Sequence, residues 1–111
     1  MWLPLLCSAA LTGMPPARGD VAGETEPVVD VSIENYSFRP NEIALRIGGT
    51  VRWTNREKRT SHSVLFPVEG GLESERLFPG ERWQRTFTQA GTYPYTCGPH
   101  PEMKGSIVVS E

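Results

Sequence analysis

The chain has 111 residues, with 11 Lys and Arg set against 13 Asp and Glu for a net charge of -2. That length leaves room for one domain, and the slight acidity excludes the dense positive charge on which nucleic-acid binding depends. Residues 1–13, MWLPLLCSAALTG, form an apolar run that suits a secretory leader and is too short to span a bilayer. We therefore expect a leader and flanking tail over 1–22, with cleavage between Met14 and Gly23. A single folded domain over 23–111 follows, periplasmic or otherwise exported, with no membrane span in the mature chain. No Lys or Arg follows Met1, so the charged start of such leaders is missing. Cys7 follows Leu6, where a lipoprotein signal carries a small residue, so no acyl anchor is expected. Glu24 to Pro27 reads as a tail before the first strand.

From there the pattern is strand and turn. Val29, Val31 and Ile33 alternate with polar residues, as do Ile43, Leu45 and Ile47, then Val51 and Trp53, then Val64 and Phe66, then Tyr93 and Tyr95. A period of two marks half-buried strands. The runs are separated by Arg39-Pro40-Asn41, Gly48-Gly49, Glu69-Gly70-Gly71, Pro79-Gly80 and Ala90-Gly91, all with turn chemistry. No helical periodicity and no repeat is found. The expectation is an all-β, antiparallel sandwich of about seven to eight short strands. Arg85 interrupts the apolar side of a strand carrying Trp83 and Phe87, so either its stem covers the core edge with the guanidinium in water, or the strand lies at an exposed edge.

Beyond the leader the chain holds one cysteine, one methionine and two histidines: Cys97, Met103, His62 and His100. A lone cysteine excludes an internal disulfide, and in an oxidising compartment a free thiol needs protection by burial or metal. One thiolate and two imidazoles with a weak thioether form the ligand set of blue-copper electron-transfer centres. The run Cys97-Gly98-Pro99-His100-Pro101-Glu102-Met103 puts three of these groups in one loop between strands at Thr92–Thr96 and Gly105–Val109. His62 comes from a neighbouring loop, between a strand ending near Asn55 and one starting at Ser63. Pro99 and Pro101 restrict the backbone around His100.

The stretch from Phe87 to Gly105, with two residues between His100 and Met103, resembles the copper loop of the cupredoxins of the amicyanin and pseudoazurin type. Trp53-Thr54-Asn55-Arg56-Glu57 ahead of His62 extends the resemblance over about residues 29 to 110. It implies a Greek-key β-sandwich and one type 1 copper per chain cycling between Cu(II) and Cu(I). His62, Cys97 and His100 would be the equatorial ligands and Met103 the axial one. It implies a monomer that shuttles single electrons between exported redox proteins, such as a c-type cytochrome, a dehydrogenase or an oxidase, docking near His100 rather than catalysing a reaction. Tyr93 fits the tyrosine-bearing turn of such sandwiches. Many cupredoxins carry an asparagine after the first ligand histidine that ties the two ligand loops; here Ser63 stands there, and a hydroxyl makes fewer hydrogen bonds.

Two other readings of the metal site remain open on the residues alone. Copper storage, delivery or resistance would favour Met-rich or His-rich tracts, which the chain lacks. A structural zinc site would suit Cys and His but not a thioether. Arg56, Lys58 and Arg59, or Glu69, Glu73 and Glu75, could steer a charged partner, and Pro99 and Pro101 with Leu65 or Pro67 could form an apolar collar at the His100 imidazole.

Overall fold

The computed structural model describes residues 27–111. The expectations for the leader, for Cys7 and for residues 24–26 lie outside this range. Among the described residues nine strands follow one another: β1 (Val28–Glu34), β2 (Ser37–Arg39), β3 (Glu42–Arg46), β4 (Thr50–Asn55), β5 (Leu65–Phe66), β6 (Leu72–Glu73), β7 (Arg82–Thr86), β8 (Gly91–Thr96) and β9 (Lys104–Ser110). They build two facing sheets, one in the order β2-β1-β4-β7 and the other in the order β3-β9-β8-β5-β6. A 3-10 turn at Pro67–Glu69 links β5 to β6.

Most of the alternating residues do what their period demands, Ile47 excepted, which lies past the end of β3 and is exposed. Val31 and Ile33 from β1, Val51 and Trp53 from β4, and Ile43 and Leu45 from β3 all turn inward. They meet Phe66, Phe87, Tyr95, Ile107 and Val109 in one core between the sheets. Trp53 sits at its centre, fully buried, with its ring edge-on to Tyr95 at 5.4 Å and to Phe66 at 6.2 Å. Such edge-to-face pairs contribute about 0.5–1.5 kcal/mol each beyond burial. Gly105 pairs with Tyr95 across β8 and β9, and a Cβ there would lie 2.5 Å from the Tyr95 ring. The glycine is what lets the Tyr95 ring lie against the neighbouring strand.

Three sequence expectations need correction. The sandwich is not purely antiparallel: β1 runs parallel to β4, and β3 parallel to β9. Alternation reports which face of a strand is buried but not its neighbour, and here the chain crosses from one sheet to the other after β2 and back after β3. The run from Val64 to Phe66 is a strand only at Leu65–Phe66, and the two short strands β2 and β6 bring the number to nine.

Arg85 is the third case. β7 is an edge strand, as one reading required, but the guanidinium does not extend into water. It folds over the Phe66 and Phe87 rings at 4.6 and 4.5 Å, and its Nη1 and Nη2 donate to the two carboxylate oxygens of Glu69 at 2.9 and 2.7 Å. Because Glu69 follows β5, this bidentate pair clasps the open side of the sandwich from one sheet to the other. Tyr93 meets its expectation: its hydroxyl donates to the Gln89 carbonyl at 2.6 Å, closing the turn into β8.

Candidate metal centre

All four predicted ligands lie at one pole of the sandwich, where β4 and β8 end and β9 begins. Cys97 directly follows β8, and its loop is closed by two backbone bonds: Cys97 N–H to Met103 C=O at 3.1 Å and Met103 N–H to His100 C=O at 2.9 Å. These bonds turn the seven residues from Cys97 to Met103 into a compact loop, in which Met103 is 3% exposed. His62 reaches the site from the opposite side. Its backbone exchanges both hydrogen bonds with Leu77, at 3.0 and 2.7 Å, so the ligand is held as firmly as a strand residue although it lies between strands.

The loop from β4 to His62 is organised by one buried side chain. Asn55 is fully buried, and its amide group donates to the carbonyls of Thr60 and Leu77, both at 2.8 Å, while its oxygen accepts from Glu57 N–H at 2.9 Å. Every hydrogen-bonding position that matters is filled, which makes burial of the carboxamide affordable.

The three strong donors converge. His62 Nδ1 lies 3.5 Å from Cys97 Sγ, His100 Nδ1 lies 3.7 Å from the same sulfur, and the two Nδ1 atoms are 3.2 Å apart. A triangle with sides 3.5, 3.7 and 3.2 Å has a circumradius of about 2.0 Å, which is a first-row metal–imidazole bond length. Two imidazole nitrogens and a thiol aimed at one point satisfy each other poorly as hydrogen-bond partners. A cation at their centre satisfies all three. His62 and Cys97 are fully buried and His100 is half-buried, so one ligand alone meets the surface.

Electrostatics favour the same use. Burial pushes His62 below the ordinary imidazole value, partly opposed by the Glu57 carboxylate, so the ring keeps a lone pair for a metal at neutral pH. Burial pushes the Cys97 thiol up, and the backbone amides of Ser63 and His100 pull it back. A bound cation favours the thiolate outright.

Three residues at the site were not singled out as ligand supports by the sequence reading. Glu57 Oε2 contacts His62 Nε2 at 3.2 Å and accepts the Tyr36 N–H at 2.9 Å. Burial opposes its ionisation, yet these bonds leave its carboxyl below the usual range. A carboxylate on the far nitrogen fixes the His62 tautomer with Nδ1 free. Tyr36 lies in the two-residue turn from β1 to β2, where Asn35 and Tyr36 both take left-handed φ of 52° and 54°. That conformation is unusual for a bulky residue and is the one a tight hairpin twist requires. It sets the Tyr36 ring edge-on to both His100, at 4.9 Å, and His62, at 5.5 Å. The third residue is Glu73, bonded to Ser63 at 2.7 Å. Asn55 and Glu57 stood in the quoted stretch ahead of His62, but only as part of a resemblance.

The surface expectations divide. Arg56, Lys58 and Arg59 are exposed and, with Glu34, Asn35, Glu57 and Thr60, line a depression of about 550 Å³ beside the His62 loop. The acidic set does not act together, because Glu69 is engaged by Arg85 and Glu73 by Ser63. Pro99, Pro101 and Pro67 are exposed and Leu65 half-buried, and the side chain packed on the His100 ring is Tyr36.

A two-sheet sandwich with a Cys-His-His pole and a buried methionine in the same loop defines a cupredoxin. The chain belongs to the plastocyanin/azurin family of copper-binding proteins, matching it over residues 25–110. Among named relatives it is similar to amicyanin of Paracoccus denitrificans, 35% identical over 86% of this chain and 72% of the relative. It is likewise 34% identical to amicyanin-alpha of Methylorubrum extorquens, over 95% of this chain and 97% of that one. Its fold superposes on a Cu(I) structure of an amicyanin variant with a TM-score of 0.70, at 34% identity, over 75% of this chain and 82% of the other. It is a blue copper protein with one type 1 copper, and its function is single-electron transfer.

Proposed function

We propose that His62 Nδ1, Cys97 Sγ and His100 Nδ1 would hold the copper, with Met103 as a weaker fourth ligand, and that electrons would enter and leave through His100. When bound, the ion alternates between Cu(II) and Cu(I), and its bond to Cys97 carries the visible charge-transfer absorption. The single observation that carries this reading is the 3.2–3.7 Å triangle of donor atoms, preorganised around a point of metal-bond radius.

The chain's own groups divide the work. Loop closure by Met103 and Cys97 backbone bonds, and the Asn55 network, keep the donors in place whichever charge the ion has. Glu57 orients His62 from behind, and Tyr36 limits rotation of the two rings. With Met103 in the fourth position no site is open to a substrate, which favours a carrier over an enzyme. Partners are larger redox proteins, such as a c-type cytochrome, a dehydrogenase or an oxidase. They meet the monomer at the pole where His100 and Tyr36 reach the surface, in the periplasm or another exported setting.

Retention of the metal separates shuttle from cargo carrier. Oxidised and reduced protein should both keep copper against a moderate chelator, with fast electron self-exchange. Rapid loss of copper from folded protein in either state would place it in storage or delivery instead.

A further inference from the structure

Ser63 directly follows His62 and is fully buried, with its N–H and its hydroxyl both engaged. Its N–H points at Cys97 Sγ at 3.4 Å. Its hydroxyl donates to Glu73 Oε2 at 2.7 Å and accepts from Gly98 N–H at 3.0 Å. A hydroxyl has one proton to give, and a carboxylate only accepts. Glu73 therefore decides which way the Ser63 proton points and leaves a lone pair turned to Gly98.

Gly98 completes the arrangement. Its φ is not among the left-handed glycines, so its backbone does not call for glycine. Space does: a Cβ at Gly98 would overlap Glu73 Oε2 and come within 2.6 Å of Ser63 Oγ. β6 is only two residues long and lies at the edge of its sheet, where its pairing of Glu73 with Leu65 sets the carboxylate above the ligand loops. Ser74 fastens the same hairpin, its N–H donating to Val64 C=O at 2.8 Å and its hydroxyl accepting from Val64 N–H at 3.0 Å. Among the described residues Glu73 makes no ion pair, and its carboxylate reaches the Cys97 loop through the Ser63 hydroxyl.

We propose that Glu73, Ser63 and Gly98 act as one positioning unit: the Glu73 carboxylate, through the Ser63 hydroxyl, locks the His62 loop to the Cys97 loop, and its charge biases the copper toward the oxidised state. This rests on the copper reading above and extends it to a carboxylate that touches no ligand. The lock works by orientation, since losing the carboxylate frees the hydroxyl to turn and leaves Gly98 N–H without a fixed acceptor. The bias is Coulombic, because a negative charge stabilises Cu(II) more than Cu(I).

Two substitutions separate lock from charge. Glu73→Ala removes both, and in metal-free protein the Ser63 and Gly98 amides should exchange with solvent at least tenfold faster. Glu73→Gln keeps an oxygen that can accept the Ser63 proton, so exchange should stay within about threefold of wild type. Its loss of charge should still raise the Cu(I)/Cu(II) ratio at a fixed solution potential by up to about tenfold, or 59 mV for a one-electron couple. Gly98→Ala, which displaces the carboxylate but keeps its charge, should reproduce the faster exchange of Glu73→Ala. Unchanged amide exchange in Glu73→Ala would overturn the lock, and an unchanged midpoint potential in Glu73→Gln would overturn the bias. Exchange is read on metal-free protein, so it stands apart from the copper assignment. That assignment fails separately if the wild-type protein takes up Cu(II) without thiolate absorption.

Discussion

Replacing Glu57 tests how far the site depends on groups behind its ligands. Glu57 Oε2 serves two N–H groups, His62 Nε2 at 3.2 Å and Tyr36 N at 2.9 Å. In Glu57→Ala the Tyr36 amide lies on an exposed residue and can turn to water, whereas the His62 side chain has 0% exposure and cannot. A buried donor left without a partner costs about 1–3 kcal/mol. For a domain of this size each kcal/mol lowers the melting temperature by about 4–8 °C, so metal-free Glu57→Ala should melt at least 4 °C below wild type. The same substitution frees the His62 ring to rotate and weakens it as a donor, which for groups behind a metal ligand typically costs 10–100-fold in affinity. Glu57→Gln, which retains an acceptor oxygen, should fall between the two. Circular-dichroism melting of metal-free protein and competition titration with copper measure these effects. A melting temperature and an affinity both equal to wild type in Glu57→Ala would refute the support assigned to this carboxylate.

The clasp between the sheets should be visible in acid. Its hydrogen bonds from Arg85 hold the Glu69 carboxyl below the usual range, so the pair's contribution is full above about pH 4.5 and fades as pH falls through the lowered folded-state value. Glu69→Gln should therefore be about 1 kcal/mol less stable than wild type at pH 7 and converge with it in strong acid; a constant offset at all pH values, or none, contradicts this. At the copper, Met103→Gln should keep intense thiolate absorption while lowering the midpoint potential, because a harder oxygen ligand favours Cu(II). An unchanged potential in voltammetry would remove Met103 from the axial position.

What the sequence disclosed follows from chemical rarity and period. With one cysteine, one methionine and two histidines among residues 27–111, a candidate ligand set stood out in the sequence, and the structure brings the donor atoms of His62, Cys97 and His100 within 4.8 Å of one another. Buried faces of β1, β3 and β4 were equally legible, since alternation fixes them. Strand partners were not: nothing local to Val28–Glu34 distinguishes an antiparallel neighbour from the parallel β4 it pairs with. β6 escaped because two residues carry no period. Charged residues misled most. Glu57, Glu69 and Glu73 each look like solvated loop residues in sequence, and each is committed to a specific partner, His62, Arg85 or Ser63. Arg85 misled likewise, because a guanidinium laid on aromatic rings needs the other sheet to supply the carboxylate that pairs with it.

The central claim is that Cys97, His62 and His100 bind copper as one trigonal site, and optical absorption of the Cu(II)-loaded protein tests it most directly. Wild-type protein should show an intense thiolate-to-copper band in the visible and appear deep blue or blue-green, and Cys97→Ala, loaded in the same way, should be colourless. Weak d-d absorption alone in the wild type, or an intense band that survives in Cys97→Ala, would contradict the account.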